Sequence, residues 1–462
     1  MTPTPTPRRP SLETLFVATF ALLGLRIGLR PLGDNSLFIH LRTGIDLVRT
    51  GHIPRSDPYS FTAAGDAWVV QSWLASAAYG VAERLGGFEA VRLLHGLLYA
   101  LLAGVLGRSV RTGSAWRTAL AGVLAIGLGI VYWSPRPLAF GLLGLAATVW
   151  VVERRRKWWW LLPIVWVWAN AHGSFVLGLG WLVLVVAGER LDGHRRPDSL
   201  PWLGGFVAGL AAACLNPLGP RLLIFPLVVV SRREAFSHVV EWRSPSFQSG
   251  TGILTLLCLV GALVVVARSR PPWRDLLPVA GFVVAGLAAQ RNLPMVAVVV
   301  APVLRRSLRA PRGDVVEVAP RINVTIAAVL GVLALLFVVV AAVGEPFDLE
   351  GYPVRAASAL DARGPVRVAT TDVAAGYLIL RGGPFVLIDD RVDLYPVKTT
   401  EDYLRLRDGR PDALDVLDRY DPDVVLWETD RALSAQLAAS ERWRRVEVLD
   451  GWGVWVRASA TP

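Results

Sequence analysis

WWWLLPIVWVWANAHGSFVLGLGWLVLVVAG, residues 158 to 188, is apolar from end to end apart from one polar island, NAHGS, at 170 to 174. A basic run, ERRRK (153 to 157), precedes it and ERLDGHRR (189 to 196) follows. Cytoplasmic loops of membrane proteins collect Lys and Arg, so two basic flanks on one tract make the chain go out and come back, with NAHGS at the turn. Each arm then has about 14 residues and reaches about 21 Å at 1.5 Å per residue. A bilayer core is about 30 Å thick. The turn is therefore expected to sit below the outer surface, where irregular backbone is tolerated only against protein or a wet cavity.

The same pattern repeats outward from this tract. The stretch from Ala119 to Val152 is split by SPRP (134 to 137), that from Leu276 to Leu304 by QRN (290 to 292), and the span beginning near Leu200 is followed by NPLGPR (216 to 221). With a first span in TLFVATFALLGLRIGLRPL, a pair around 88 to 134 and the final run TIAAVLGVLALLFVVVAAV, about eleven transmembrane helices are expected. An odd number places the N-terminus in the cytoplasm and the tail outside, with the first span uncleaved because no small-residue cleavage site follows it.

Composition agrees with a multi-pass protein of the plasma membrane. The 462 residues are 53% hydrophobic and 18% charged, with a mean hydropathy of +0.46. The net charge of +11 does not indicate nucleic acid. Residues 1 to 344 hold about 33 Lys plus Arg against about 16 Asp plus Glu, and the tail about 15 against 21, so the basic excess follows the membrane part. Cys214 and Cys258 lie in apolar runs, where a thiol acts as a small hydrophobe.

Residues 345 to 462 read as a small extracytoplasmic α/β domain after a transmembrane domain of residues 1 to 344, whose first outer loop is 33 to 87. RVATTD, FVLI and DVVLWE read as strands and DVAAGYLIL as a helix. In RRVEVLDGWGVWVRA, the DG pair separates two alternating runs as a hairpin. No glycine-rich phosphate loop is present. DDRVD, at a strand's carboxyl end, reads as a salt-bridged turn in a place where α/β sheets also bind ligands.

Chemistry is expected at two places. Among the outer acids Asp34, Asp46, Asp57, Asp66, Glu83, Glu89, Glu234 and Glu241, only Asp34 lies within a few residues of a span end. It opens GDNSLFIHLRTG (33 to 44), where it is either a general base on an acceptor hydroxyl or the N-cap of the helix that follows. In that helix Leu37, Leu41, Ile45 and Val48 share one face, and Arg42 and Asp46 pair at i, i+4. Asp57, before Pro58, is the second candidate base, with a turn residue as the plainer reading. At the recessed tips Arg136, His172, Arg221 and Arg291 would neutralise an anion such as a phosphate, since cations at membrane depth tend to be functional. Ordinary Pro and Gly turns are the plain alternative there.

Taken together, GDNSLFIHLRTGIDLVRTGHIPRSDPYSFTAAGDAWVVQSWLA, SPRPLAFGLL, WVWANAHGSFVLGL, NPLGPRLLIFPL, VVEWRSPSF and VLIDDRVDLYP resemble a bacterial, actinobacterial-type group of polytopic membrane proteins. That group is itself similar to the type C (GT-C) glycosyltransferases, relatives of protein mannosyltransferases and aminoarabinose transferases. The resemblance to the bacterial group covers nearly the whole chain; that to the enzymes covers the first span, the loop and the architecture. It implies a catalytic acid in the first outer loop, at Asp34. In the enzymes this acid is often one of a pair, whereas Asn35 follows here, so a divalent metal is not called for and no cofactor is expected.

The expected function is inverting transfer of a sugar from a polyprenyl-phosphate donor to a cell-envelope acceptor on the outer face. Asp34 would be the base, Arg136, His172 and Arg291 the phosphate ligands, and His40 with Arg42 would order the loop. The other class is a non-catalytic protein that binds or moves a lipid head group, with a tail that docks a partner. A transporter should show inverted repeats with broken helices. The hairpins here all turn on one side, which favours the enzyme.

Overall fold

The structure, a computed structural model, describes residues 9–232, 239–309, 320–361, 363–383 and 385–458. The chain forms two compact units. One comprises Met1–Pro31, Gly86–Asn216 and Val240–Pro346, and the other Leu32–Leu85, Pro217–Val239 and Phe347–Pro462. The units cut across a division of the chain at residue 344, because the first loop belongs with the tail. Among the described residues both cysteines are free.

The first unit is helical. It holds α1 (Leu12–Gly28), the second part of α3 (Trp73–Ser109), α4 (Ala115–Gly127), α5 (Leu138–Glu153), α6 (Leu161–Ala171), α7 (Phe175–Leu191), α8 (Ser199–Ala213), α10 (Gly250–Arg268), α11 (Trp273–Ala288), α12 (Leu293–Ser307) and α13 (Ile322–Val343). The apolar tracts break where Pro, Gly and Asn interrupt them: between α4 and α5 around 134 to 137, between α6 and α7 at His172–Ser174, and between α11 and α12 at 290 to 292. The arms of the opening tract are 11 and 17 residues rather than equal. Among the described residues four helical segments are long and apolar enough to cross a membrane, Trp73–Ser109, Ala115–Tyr132, Gly250–Arg268 and Ile322–Val343, and three shorter apolar helices accompany them. The expected count of about eleven is thus not reached on helix length. The remaining helices are as short as the arms of the hairpins should be.

Polar side chains fix this unit at a few points. The buried Arg92 of α3 donates to Leu29 O at 2.9 Å and to Ala341 O and Glu345 O at 2.9 Å. It thereby satisfies carbonyls at the C-terminal ends of α1 and α13, which hold the negative end of each helix dipole. At the ends of α5, α7, α11 and α12, Arg274 pairs with Glu153 (3.1 Å) and Glu189 (3.2 Å), and Arg306 with Asp275 (2.7 Å) and Glu153. Removing one member would leave its partners buried and uncompensated.

The second unit is built on a five-stranded sheet. Its strands are β1 (Arg367–Ala369), β2 (Phe385–Val386), β3 (Val424–Glu428), β4 (Trp443–Leu449) and β5 (Trp452–Arg457), in the order β2-β1-β3-β5-β4. β1 runs parallel to β2 and β3, while β5 is antiparallel to β3 and β4. Asp450 and Gly451, with φ of 53° and 82°, make the two-residue turn that the DG pair predicts. Helices α14 (Val354–Asp361), α15 (Asp372–Leu380), α16 (Val397–Arg407), α17 (Ala413–Tyr420) and α18 (Ala432–Ala439) complete the tail's share. The FVLI strand is shorter than expected and ends at Val386.

The first loop is part of this fold. Its α2 (Asn35–Thr50) packs on α15, with Phe38 edge-on to Tyr352 and Tyr377 at 5.4 and 6.2 Å between centroids. On the apolar face read from the sequence, Leu37 and Leu41 are buried while Ile45 and Val48 are half-buried, and Phe38 and Ile39 beside them are buried too. Gly44 of α2 and Gly80 of α3 lie against each other's turns, where a Cβ on either would overlap a backbone carbonyl. Further along, Phe61 N donates to Val386 O (3.0 Å) and Val386 N to Tyr59 O (3.1 Å), which covers the exposed edge of β2. Within α3, Gly86 and Gly87 leave helical geometry, Gly87 at φ 68°, and the boundary between the units falls there.

Candidate functional site

In the helical unit two of the tips, SPRP and QRN, meet at one short segment, Val240–Arg243. Gln290 N donates to Arg243 O (2.9 Å) and Gln290 Nε2 to Val240 O (2.7 Å), which lays this segment across the α11–α12 tip. Glu241 forms an ion pair with Arg136 of the SPRP tip. Next to it, the indole of Trp242 carries the guanidinium of Arg291, with Cζ 4.3 Å from the ring centroid. The charge of Arg136 acts on Arg291. Among the described residues Arg291 has no ion-pair partner. The SPRP tip is itself held by the Tyr99 hydroxyl, which donates to Ser134 O at 2.5 Å, and by Trp133 stacked on Tyr99 at 5.2 Å.

His172 ends α6. Ser174 N donates to its Nδ1 (3.2 Å), leaving Nε2 to carry the proton of the neutral ring. Trp168 Nε1 donates to Ser174 Oγ at 3.0 Å. The imidazole lies over Gly141 in the first turns of α5, where a Cβ would collide with it. Thus Arg136, Arg291 and His172, placed at three tips by the sequence, all belong to the helical unit, and the first two meet at Glu241–Trp242.

The other candidates belong to the second unit. Asp34 is the N-cap of α2, its Oδ1 accepting from Ser36 N (3.0 Å) and Leu37 N (3.2 Å). His40 Nδ1 lies 3.0 Å from Ser76 Oγ, and Arg42 Nε donates to Asp46 Oδ2 at 2.9 Å, the i, i+4 pair read from the spacing. Arg221 opens α9 (Arg221–Ser231) and is exposed. Glu234 lies outside the described residues.

Asp57 is buried and committed. It accepts from Tyr59 N (3.1 Å), Ser60 N (3.0 Å) and Ser60 Oγ (2.5 Å), and pairs with Arg391 Nη2 at 2.7 Å. Arg391 also grips Asp389 in a fork, Nε to Oδ1 at 2.8 Å and Nη2 to Oδ2 at 2.6 Å, and it lies 4.4 Å from the Trp68 ring and 5.2 Å from that of Tyr59. Burial opposes the charge of Arg391, but Asp389, Tyr395 and Asp57 outweigh it and hold the guanidinium well above its ordinary range. The Tyr395 hydroxyl donates to Asp389 Oδ2 at 2.7 Å, and burial with that carboxylate pushes it well up. The DDRVD turn is therefore salt-bridged, with a loop residue, Asp57, as its additional partner.

Two features of the tips escape a reading of the sequence. Glu241 appears there only as one of eight outer acids, and Trp242 not at all. Asking which carboxylate balances Arg136 at membrane depth would have pointed to the acid of VVEWRSPSF. Among the described residues no group of three or more His, Cys, Asp or Glu could hold a metal ion.

No family model matches the chain and no curated protein does. Among solved structures it is similar to the arabinofuranosyltransferase AftD from Mycobacteria, with a TM-score of 0.52 at 13% identity, over 98% of this chain and 40% of that one. The chain thus spans less than half the length of that enzyme. At this identity the likeness shows a shared fold and nothing beyond it. The Archaeoglobus fulgidus oligosaccharyltransferase in its apo form also matches, with a TM-score of 0.46, 12% identity, and coverage of 89% of this chain and 69% of that chain. That second likeness is too loose to carry more.

Proposed function

We propose that the protein is a multi-pass glycosyltransferase of the plasma membrane that moves a sugar from a polyprenyl-phosphate donor to a cell-envelope acceptor on the outer face. The observation that carries the reading is Arg291, a guanidinium with an indole beneath it, a second arginine beside it and, among the described residues, no carboxylate of its own. Two cations from neighbouring helix-hairpin tips have a use if an anion arrives, and the leaving group of such a donor is a phosphate.

In this reading Asp34 takes the proton of the acceptor hydroxyl as the new bond to the anomeric carbon forms. The bond from that carbon to the phosphate oxygen breaks on the opposite side, and its electron pair leaves with the polyprenyl phosphate. Arg136 and Arg291 bind that phosphate, with His172 and Arg221 as further donors, and His40 and Arg42 order the loop. The topology that goes with it has the N-terminus in the cytoplasm and the tail outside. Single cysteines at Ser109, Ser307 and Ser358 in a cysteine-free chain test it with an impermeant thiol reagent on intact cells. Only Ser358 should react; labelling of Ser109 or Ser307 contradicts the topology.

The chemistry is tested at Asp34. Asn caps a helix about as well as Asp but accepts no proton, so Asp34→Asn should keep the melting temperature while slowing transfer about a hundredfold to ten-thousandfold. Asp34→Ala should lose the cap as well. Full transfer of labelled sugar by the Asn variant in membranes would leave Asp34 as a cap alone.

A further inference from the structure

The far ends of the helices that carry the tips show a different surface. α5 leaves its SPRP tip and ends at Glu153, and the next four residues are Arg154, Arg155, Arg156 and Lys157, all exposed. α12 leaves its QRN tip and ends among Arg305, Arg306 and Arg309. The charges of Arg154, Arg306 and Arg309 all bear on Arg305, and Arg117, at the start of α4, donates to Arg309 O at 3.2 Å. The carboxylates nearby are already engaged: Glu153 by Arg274, Arg305 and Arg306, and Asp198 by Arg155. Among the described residues no carboxylate pairs with Arg117, Arg154, Arg156, Lys157 or Arg309.

Indoles are interleaved with these cations. Trp158, Trp159 and Trp160 are 40, 51 and 48% exposed, and Trp116 is 63% exposed. Lys157 Nζ lies 5.9 Å from the Trp159 ring, Arg156 Cζ 5.2 Å from Trp150 and Arg117 Cζ 5.3 Å from Trp116. Exposed indoles at the ends of apolar helices mark the depth of the lipid headgroups, where ring and N–H are both served. A cluster of cations at that depth, unpaired with any carboxylate among the described residues, faces whatever charge the headgroups carry.

We propose that this end of the helical unit is a docking surface for anionic phospholipid headgroups, held by Arg154, Arg156, Lys157, Arg117 and Arg309 with the tryptophans as its rim. Charge complementarity selects the occupant. A zwitterionic headgroup offers its phosphate together with a cation, whereas a headgroup of the glycerol type offers the phosphate alone. The surface is independent of any transfer reaction, and its failure would leave the reading of the tips untouched.

The test uses the purified full chain in zwitterionic micelles, titrated with phosphatidylglycerol or phosphatidylcholine, with bound lipid counted by native mass spectrometry and the melting temperature followed in parallel. Wild type should prefer phosphatidylglycerol by about tenfold or more, given about 1 kcal/mol per basic residue near an anionic surface. The preference should collapse between low salt and 0.5 M salt, a range over which screening shortens several-fold. Arg154→Gln/Arg156→Gln/Arg309→Gln should bind both lipids equally while melting like wild type in phosphatidylcholine. A preference that persists in this variant or at high salt, or the absence of one in wild type, overturns the proposal. So does an equal thermal shift from soluble glycerol phosphate, which would mark an anion site rather than a lipid surface. If the triple variant does not fold, the salt dependence of wild type decides alone.

Discussion

Arg391 and Arg291 are both arginines stacked on tryptophan, and they are opposites in every other respect. Arg391 has two carboxylates, a fork of short hydrogen bonds and two aromatic neighbours, so its charge is paired inside the second unit, although its buried Nη1 has no hydrogen-bond partner among the described residues. Arg291 has one indole and a like charge nearby, and among the described residues no ion-pair partner. A guanidinium paired with two carboxylates holds a fold together; one that is stacked but unpaired is available to a ligand. The contrast separates the DDRVD turn, a chemical-looking motif, from the tips, which carry the reaction in our reading.

The largest effect should come from the carboxylate-paired arginine. Arg391→Ala leaves Asp389 and Asp57 buried without their cation, and breaking such a pair costs about 3–5 kcal/mol. Thermal melts should show the second unit strongly destabilised, and a melting temperature close to wild type would mean that the pair is ornamental. Arg291→Gln should do the reverse, leaving the melt nearly unchanged and weakening polyprenyl-phosphate binding about tenfold to a hundredfold, the worth of one charged hydrogen bond. Unchanged affinity with a lowered melting temperature would make Arg291 structural as well and erase the contrast.

Glu241→Gln probes the intermediate case. Its pair with Arg136 is partly exposed, so its loss should cost less than about 1 kcal/mol of stability. It also frees Arg136 for the phosphate, so affinity should rise a few-fold, where a purely structural pair would leave it flat. The smallest effect is expected at Asp393. Burial pushes its carboxyl above the ordinary value, more than the nearby arginines lower it. A raised folded-state value means that ionisation works against folding, so the penalty is present at pH 7 and fades as the pH falls toward 4. Asp393→Asn should therefore stabilise slightly at neutral pH and not in acid, as followed by melts across that range.

The tips, the hairpin at Asp450–Gly451 and the Arg42–Asp46 pair could be read from the sequence because each is local. Pro, Gly and Asn break an apolar run wherever it folds, and an i, i+4 pair needs only a helix. Pairing across the chain could not be read. Asp57 reaches Arg391 from the opposite end of the protein, and no spacing in either segment reveals it. The amphipathic pattern of GDNSLFIHLRTGIDLV showed that α2 has one apolar face, and it could not say whether lipid or α15 would cover it, since both are equally apolar. Asp34 was legible as a choice between cap and base. The structure shows the cap, which is compatible with the base.

The central claim is that the arginines of separate tips bind the phosphate of a lipid-linked sugar. The most direct measurement is a structure of the full chain determined with added polyprenyl phosphate. The account predicts phosphate density within hydrogen-bonding reach of both Arg136 and Arg291, with Arg136 drawn away from Glu241. A phosphate bound elsewhere, with the Arg136–Glu241 pair and the Arg291–Trp242 stack undisturbed, would contradict it.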